Sequence, residues 1–429
     1  MGRRKQQAQL AVYIGSTRVG SYSREPSGAA SFRYAPDWLA SERAFPVSLS
    51  LPLSDRRYSG ARVAGYFDGL LPDDPQVRQK IAARERADSA ATFDLLAVLG
   101  RDCVGALRFV AEGEDPGDPV SMQYTPLSEP AMAERLAALD HNPLGMSGES
   151  DAFRISIAGV QEKTAFLQVD GQWVLPQGAT PTSHIFKPAM RGNDPEFINS
   201  PWNEHLSLTL CRALGLATAD TEVLRIGGQP VLLVTRFDRR WSGQVLYRLP
   251  QEDLCQALGV MPGGKYESDG GPGMREVMEV LRGAIDPLHD RMQFYRAQLV
   301  FWLLGAIDGH AKNFSLFLTP GGYRLTPLYD VISVAPFKSL PLQKARMAMS
   351  YGQRRVYRLA QIQVRHLLQT ARACGLPESR AQEVIDDLLA RGPAALAAGE
   401  ALVAGQALPA SCAGPILQML EKRLALLHG

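Results

Sequence analysis

Leu288, Met292, Tyr295, Leu299 and Trp302 are spaced 4, 3, 4 and 3 residues apart, which places large apolar side chains on one stripe of an α-helix. Such a stripe is far more often core than cofactor site, so it predicts the central buried helix of a helical lobe. The segment behind it constrains the chain further. Ile307-Asp308-Gly-His310-Ala-Lys312-Asn313 leads into a strand in which Phe314, Leu316 and Leu318 alternate with Ser315 and Phe317. The turn Thr319-Pro-Gly-Gly322, a second short strand over 323–328 and Tyr329-Asp330 complete the pattern. An acid, an amide five residues later, a hairpin and a second acid therefore follow one helix.

Phosphoryl transfer needs such a set. One carboxylate accepts a hydrogen bond from the attacking hydroxyl, a part that Asp308 would fill. Mg²⁺ takes hard oxygen ligands, which the Asn313 amide and the Asp330 carboxylate supply. Protein kinases place a catalytic Asp, a metal-binding Asn and a metal-binding Asp in this order. The bare D-x-x-x-x-N spacing is weak, because Asp194 and Asn199 satisfy it as well. That copy has no hairpin or second acid behind it and reads as a capped loop before a helix. Turn residues flanking a hairpin remain an alternative reading for Asp308, Asn313 and Asp330.

Upstream, Lys187 on a short strand suits phosphate oxygens, although it equally reads as a solvated lysine. Glu204 suits either a lysine partner or the positive end of a helix. The Ala158-Gly159 turn would offer backbone amides to phosphates, without being a multi-glycine loop.

Composition is that of a soluble globular chain: 429 residues with 45% hydrophobic and 21% charged residues. That length predicts two or three domains. Lys plus Arg number 46 against 44 Asp plus Glu, so nucleic-acid contact would need a local patch rather than global charge. The longest apolar run, 299–307, is far below the roughly 20 residues of a membrane span. No membrane association and no secretory leader are expected. Five scattered cysteines without a C-x-x-C pair predict reduced thiols and a cytoplasmic location.

Strands are expected over 47–53, 153–157, 164–169, 184–187 and 231–234, with a turn at 158–159. Helices are expected over 92–100, from Ser128 to about Asp140, and over 202–214. The acidic, Pro- and Gly-rich run 112–119 is the best linker candidate, and Phe67-Asp-Gly-Leu-Leu-Pro-Asp73 reads as a turn-bounded apolar plug. The expected fold is α+β and two-lobed, protein-kinase-like, with a β-rich N-terminal part and an all-helical C-terminal lobe. Segments 1–125, 126–237 and 238–429 would be an N-terminal module, an N-lobe and a C-lobe.

Six segments carry a family resemblance: Phe153-Arg-Ile-Ser-Ile-Ala-Gly-Val-Gln-Glu-Lys-Thr164, Thr180-Pro-Thr-Ser-His-Ile-Phe-Lys187, Arg236-Phe-Asp-Arg-Arg240, Arg248-Leu-Pro-Gln-Glu-Asp253, Lys265-Tyr-Glu-Ser-Asp-Gly-Gly-Pro-Gly273 and Asp308-Gly-His-Ala-Lys-Asn-Phe-Ser315. They resemble HipA, the serine/threonine-kinase toxin of a bacterial type II toxin–antitoxin system. Segments 48–53 and 67–73 resemble its N-terminal module, so the likeness covers nearly the whole chain.

The resemblance implies Asp308 as catalytic base and Asn313 and Asp330 as Mg²⁺ ligands. It implies ATP contacts from Ile157, Ala158, Gly159, Val160, Gln161 and Glu162 over the phosphates, and from Lys187. Thr235, Arg236 and Phe237 would form the adenine hinge, and His310, Ala311 and Lys312 would join Asn313 and Asp330 at the nucleotide. Ser156 matches the serine that such kinases phosphorylate on themselves. Close to two added negative charges would repel nucleotide phosphate and eject the loop, switching the enzyme off. Glutamyl-tRNA synthetase is the implied substrate, whose phosphorylation stops tRNA charging and leads to growth arrest or persistence. A HipB-like antitoxin is the implied partner in repression of the operon. The hinge departs from the close family pattern, because Thr235 stands where an acidic residue is usual. Arg354, Arg355, Arg358 and Arg365 form a basic cluster that suits operator DNA phosphates, although such a run also reads as a solvated face. The alternative to a kinase is a corepressor that bridges antitoxin dimers on DNA with its chemistry secondary.

Overall fold

The computed structural model describes residues 8–145, 155–405 and 408–428. Packing divides the chain into two compact units. The first takes the described residues up to Lys187 together with 235–263 and 316–322, and the second takes 188–234, 264–315 and 323 onward.

The first unit opens with a five-stranded sheet built from β1 (Ala8–Ile14), β2 (Thr17–Arg24), β3 (Ala30–Tyr34), β4 (Tyr58–Ser59) and β5 (Leu107–Ala111). Their order is β4-β3-β2-β1-β5, antiparallel throughout. Gly15 starts the two-residue β1–β2 turn at φ +58, a conformation that glycine adopts without strain. One face buries an aromatic core in which Tyr22 stacks on Phe67 at 4.0 Å and Phe109 meets Phe67 edge-on. Phe67, Leu70 and Leu71 of the expected plug are all buried. The second sheet runs β6 (Gln123–Pro126), β8 (Gln172–Gln177), β7 (Thr164–Val169) and β9 (His184–Pro188) in spatial order. β7 and β9 fall on the expected strands 164–169 and 184–187. Pro188 is the last residue of β9, and it has no N–H to extend a ladder.

Two expected strands do not form. Residues 47–53 make a tight turn in which the Leu51 N–H donates to the Ser48 carbonyl. The Leu49 N–H goes to the Glu252 carboxylate at 2.8 Å, so side chains take the bonds that a strand partner would have taken. Ile155 and Ile157 are buried, yet their segment belongs to no strand or helix. Phe153 and Arg154 of that expected strand lie outside the described residues, as does most of the polar stretch 145–151. All three expected helices form, at Ser200–Ala213, at Thr92–Leu99 with Gly100 behind it, and at Glu129–Ala137. The Ser128 hydroxyl caps the last by accepting from the Ala131 N–H.

The second unit is mostly helical. Its central helix, Pro287–Leu304, buries Tyr295, Leu299 and Trp302 as the stripe predicts, while Leu288 is 44% exposed. From Phe294 onward the helix is enclosed on more than one face, because Phe294, Val300, Phe301, Leu303 and Leu304 are buried too. The Ser200–Ala213, Glu378–Gly405 and Ala410–Leu427 helices complete its core. Short hairpins also belong to this unit, including Thr221–Ile226 with Gln229–Thr235 and Arg346–Tyr351 with Val356–Arg358. The α+β class therefore holds, and helices dominate this unit without excluding strands. No helix is long and apolar enough to cross a membrane among the described residues. The five cysteines are buried and form no disulfide.

Candidate active site

The central helix ends at Gly305, whose φ of +66 closes it with a left-handed cap. The chain then turns through Ile307, whose carbonyl accepts from the Ala348 N–H, into Asp308. Gly309 is required sterically, since a Cβ there would meet the Phe301 ring at 2.4 Å. His310 and Ala311 turn inward and are buried, as is Lys312, and the 3-10 turn Ala311–Asn313 brings Asn313 back toward Asp308. The Asn313 side-chain amide donates through Nδ2 to the Asp308 carbonyl at 2.8 Å. With Nδ2 so committed, Oδ1 is the atom left to face a cation, the orientation that a metal ligand needs.

The Asp308 carboxylate stands 57% exposed at the end of this turn. Its Oδ1 accepts from the Tyr266 hydroxyl at 2.8 Å, and His310 Nε2 lies 3.7 Å away. Burial lowers the His310 pKa, with Asp308 opposing, which favours a neutral ring.

Asp330 follows the hairpin at φ +55, a left-handed conformation that a non-glycine residue holds only when its surroundings fix it. Those surroundings are visible. The Tyr329 hydroxyl donates to the Lys312 carbonyl at 3.1 Å and accepts from the Ser315 hydroxyl at 2.6 Å. Just beyond, Asn203 Nδ2 donates to the Ser333 carbonyl while its Oδ1 accepts from the Ser333 N–H. The residue before Asp330 is thus tied to the residue before Asn313. Among the described residues no group of three or more His, Cys, Asp or Glu side chains forms a metal cage. One amide and one carboxylate fit a Mg²⁺ ion that completes its shell with phosphate and water oxygens.

In the first unit, the Ser156 hydroxyl is fully buried and donates to the Leu70 carbonyl at 2.6 Å. Its N–H donates to the Asp102 carbonyl. Downstream, the Gly159 carbonyl accepts from the Asp73 N–H at 3.2 Å, and Lys163 Nζ donates to the Ala158 carbonyl at 3.0 Å. Gly159 sits at φ +106, and Val160 is 60% exposed at the tip. Residues 157–162 therefore form a loop held by its own lysine and by the 70–73 turn. Lys187 is buried at the end of β9.

At the expected hinge, Thr235 is exposed and Phe237 half-buried, but Arg236 points inward. It pairs with Asp238 at 2.8 Å and approaches Asp102 at 3.5 Å. Arg239 and Arg248 each reach Asp102 at 2.8 Å in the same buried cluster. Burial alone would raise the Asp102 pKa, but the three guanidiniums hold it below the usual carboxylate range. The Arg236 side chain is thus committed to structure, and so is its backbone, because its N–H donates to the Ser183 carbonyl and its carbonyl accepts from the Arg239 N–H.

The Asp194 and Asn199 copy is a cap, as expected. Asp194 accepts from the Glu196 and Ser339 N–H groups, which lowers its pKa against the effect of its burial, and Asn199 donates to Glu196. Glu204 lies in the second turn of the Ser200–Ala213 helix and is buried, so a first-turn dipole role does not apply. Arg354, Arg355, Arg358 and Arg365 are all exposed, the first two on the turn after Arg346–Tyr351 and Arg365 at the start of the Val364–Ala373 helix. Tyr266 is the site residue that sequence reasoning did not single out. It lies within the Lys265–Gly273 motif, but no spacing rule connects it to a residue 42 positions away.

A family model for the HipA-like C-terminal domain matches residues 155–396, and one for the HipA N-terminal domain matches 10–110. The chain belongs to the HipA family of kinase toxins. It is 36% identical over 350 residues to the putative kinase Y4mE of Sinorhizobium fredii, covering 80% of this chain and 81% of that one. It is 27% identical over 351 residues to the serine/threonine-protein kinase toxin HipA of Shewanella oneidensis, covering 78% and 77% of the two chains. In three dimensions it matches the HipA chain of the Shewanella oneidensis HipA, HipB and operator DNA complex. That match has a TM-score of 0.81 at 23% identity and covers 98% of both chains. The fold of this HipA-family protein is therefore the kinase-like fold that the resemblance implied.

Proposed function

We propose that this protein is an ATP- and Mg²⁺-dependent serine/threonine protein kinase acting as the toxin of a type II toxin–antitoxin system. Asp308 accepts the proton of the substrate hydroxyl while that oxygen attacks the γ-phosphorus. The bond to the β–γ bridging oxygen breaks, and ADP leaves; a bound Mg²⁺ would neutralise charge on the phosphates. Asn313 and Asp330 would hold Mg²⁺, and the family resemblance assigns Lys187, the 157–162 loop and residues 235–237 to the nucleotide. The resemblance places His310, Ala311 and Lys312 at the nucleotide as well. The observation that carries this reading is the hydrogen bond from Asn313 Nδ2 to the Asp308 carbonyl, which turns the amide oxygen outward beside the acid.

The further details rest on the family resemblance. Residues 1–125 form an accessory module, 126–237 the N-lobe and 238–429 the C-lobe. Glutamyl-tRNA synthetase is the substrate, and phosphorylation of Ser156 ends activity. A HipB-like antitoxin binds the toxin and represses the operon with it. The exposed arginines at 354, 355, 358 and 365 support direct contact with operator phosphates. Timed expression followed by phosphoproteomics tests this reading against that of a corepressor with secondary chemistry. A phosphorylated synthetase with arrested growth is expected, and an unmodified proteome with normal growth overturns it.

A further inference from the structure

The Lys265–Gly273 motif has a visible structural purpose. Its glycines serve tight packing: a Cβ at Gly271 would meet the Gly264 carbonyl at 2.0 Å, and one at Gly273 would meet the Glu267 carboxyl at 2.6 Å. The segment is pinned to the neighbouring Arg346–Tyr351 strand through Glu267, which accepts from the Ser350 N–H and, at 2.8 Å, from its hydroxyl. Asp269 and Gly271 both donate N–H to the Tyr266 carbonyl. All of this fixes one side chain. The Tyr266 ring stands edge-on to His310 with centroids 5.0 Å apart, beneath the Lys265 ammonium at 5.6 Å, and its hydroxyl donates to Asp308 Oδ1.

We propose that Tyr266 is a positioning residue for the Asp308 base, and that the motif exists to hold it. This rests on the phosphotransfer reading above. Asp308 is gripped from two sides, its carbonyl by Asn313 and its Oδ1 by Tyr266. Among the described residues no donor reaches Oδ2. The bond from Tyr266 fixes the plane of an otherwise exposed carboxylate and presents Oδ2 to the substrate hydroxyl. Without it the carboxylate rotates about its last bond, and fewer encounters find the geometry that proton transfer requires.

Tyr266→Phe keeps the ring and its contacts with His310 and Lys265 and removes only the hydroxyl. Purified full-length protein is assayed with ATP, Mg²⁺ and a serine-containing protein acceptor. A hydrogen bond to a charged group corresponds to roughly a 10- to 100-fold effect. The expected result is a kcat lower by that factor, with an unchanged KM for ATP and an unchanged melting temperature. In an Asp308→Asn background the same substitution should have no further effect, because the two side chains act as one unit. Tyr266→Phe activity equal to wild type overturns the proposal, and so does a faster variant, which would make the tyrosine a blocking group. If the wild-type protein itself transfers no phosphate, the phosphotransfer reading fails and this proposal with it.

Discussion

The Ser156 hydroxyl donates to the main-chain carbonyl of Leu70, 86 residues earlier, at 2.6 Å. The residue proposed for phosphorylation is thus a fully buried contact between the loop at 155–163 and the Phe67–Asp73 plug. A phosphoserine cannot keep that place. Its charge would be buried against a carbonyl oxygen, which repels it, so the loop must leave.

Ser156→Asp should therefore mimic the ejected state. Nucleotide affinity is expected to fall at least tenfold, with new proteolytic cleavage between 155 and 163, measured by calorimetry and limited digestion. Ser156→Ala should keep the loop in place at a cost of about 1–3 kcal/mol for the unpaired Leu70 carbonyl. It should also stay active after prolonged incubation with ATP. An aspartate variant that binds nucleotide normally would remove the switch.

Asp330 allows function and stability to be separated. Its φ of +55 strains any residue with a Cβ, so Asp330→Gly should fold as well as wild type or better, by up to about 1 kcal/mol. The same variant should lose the Mg²⁺ dependence of nucleotide binding, read by titrating the metal at fixed nucleotide. Retained metal dependence would exclude Asp330 as a ligand.

Asp102 sits among Arg236, Arg239 and Arg248 with Asp238 as the second acid. Asp102→Asn leaves three buried guanidiniums facing one carboxylate and should cost about 3–5 kcal/mol in urea unfolding. Because the folded-state pKa is depressed, the contribution of this acid is present above its unfolded value of about 3.9. It is lost only as pH falls from there through the folded value. The gap between wild type and variant should stay constant from about pH 7 to 5 and narrow only at stronger acid. A gap that closes near neutrality would contradict this assignment.

Glu252 behaves in the opposite sense. Burial is the main cause that pushes its pKa up to about 8, even though the Ser48 hydroxyl and the Leu49 N–H bond to it. Folding then favours the protonated form. Stability is greatest below the unfolded value of about 4.3 and falls by at most about 1.4 kcal/mol per pH unit until the folded value is passed. Glu252→Gln should flatten this slope between about pH 5 and 8 and make the variant the more stable protein at the alkaline end. Parallel curves for the two proteins would show that Glu252 is ionised when folded.

What could be read from sequence was local. The Asp308–Asn313–Asp330 pattern, the strands around Thr164 and Lys187 and the helix after Asp286 depend on spacing and periodicity, which one segment contains in full. The residues that escaped depend on distant partners. Val47–Leu53 alternates like a strand, but Glu252 takes the Leu49 N–H. Ile155 and Ile157 alternate as well, but the Ser156 N–H goes to Asp102. The family resemblance makes Arg236 a nucleotide contact, and only Asp238 and Asp102 reveal that its charge is used internally. Tyr266 was hidden for the same reason.

Intact-mass analysis of purified protein incubated with ATP and Mg²⁺, wild type beside Asp308→Gln, reads phosphotransfer by Asp308 without any assumed substrate. One added phosphate, mapped to Ser156, is expected in the wild type and none in the variant. Equal phosphorylation of both proteins would contradict phosphotransfer by Asp308.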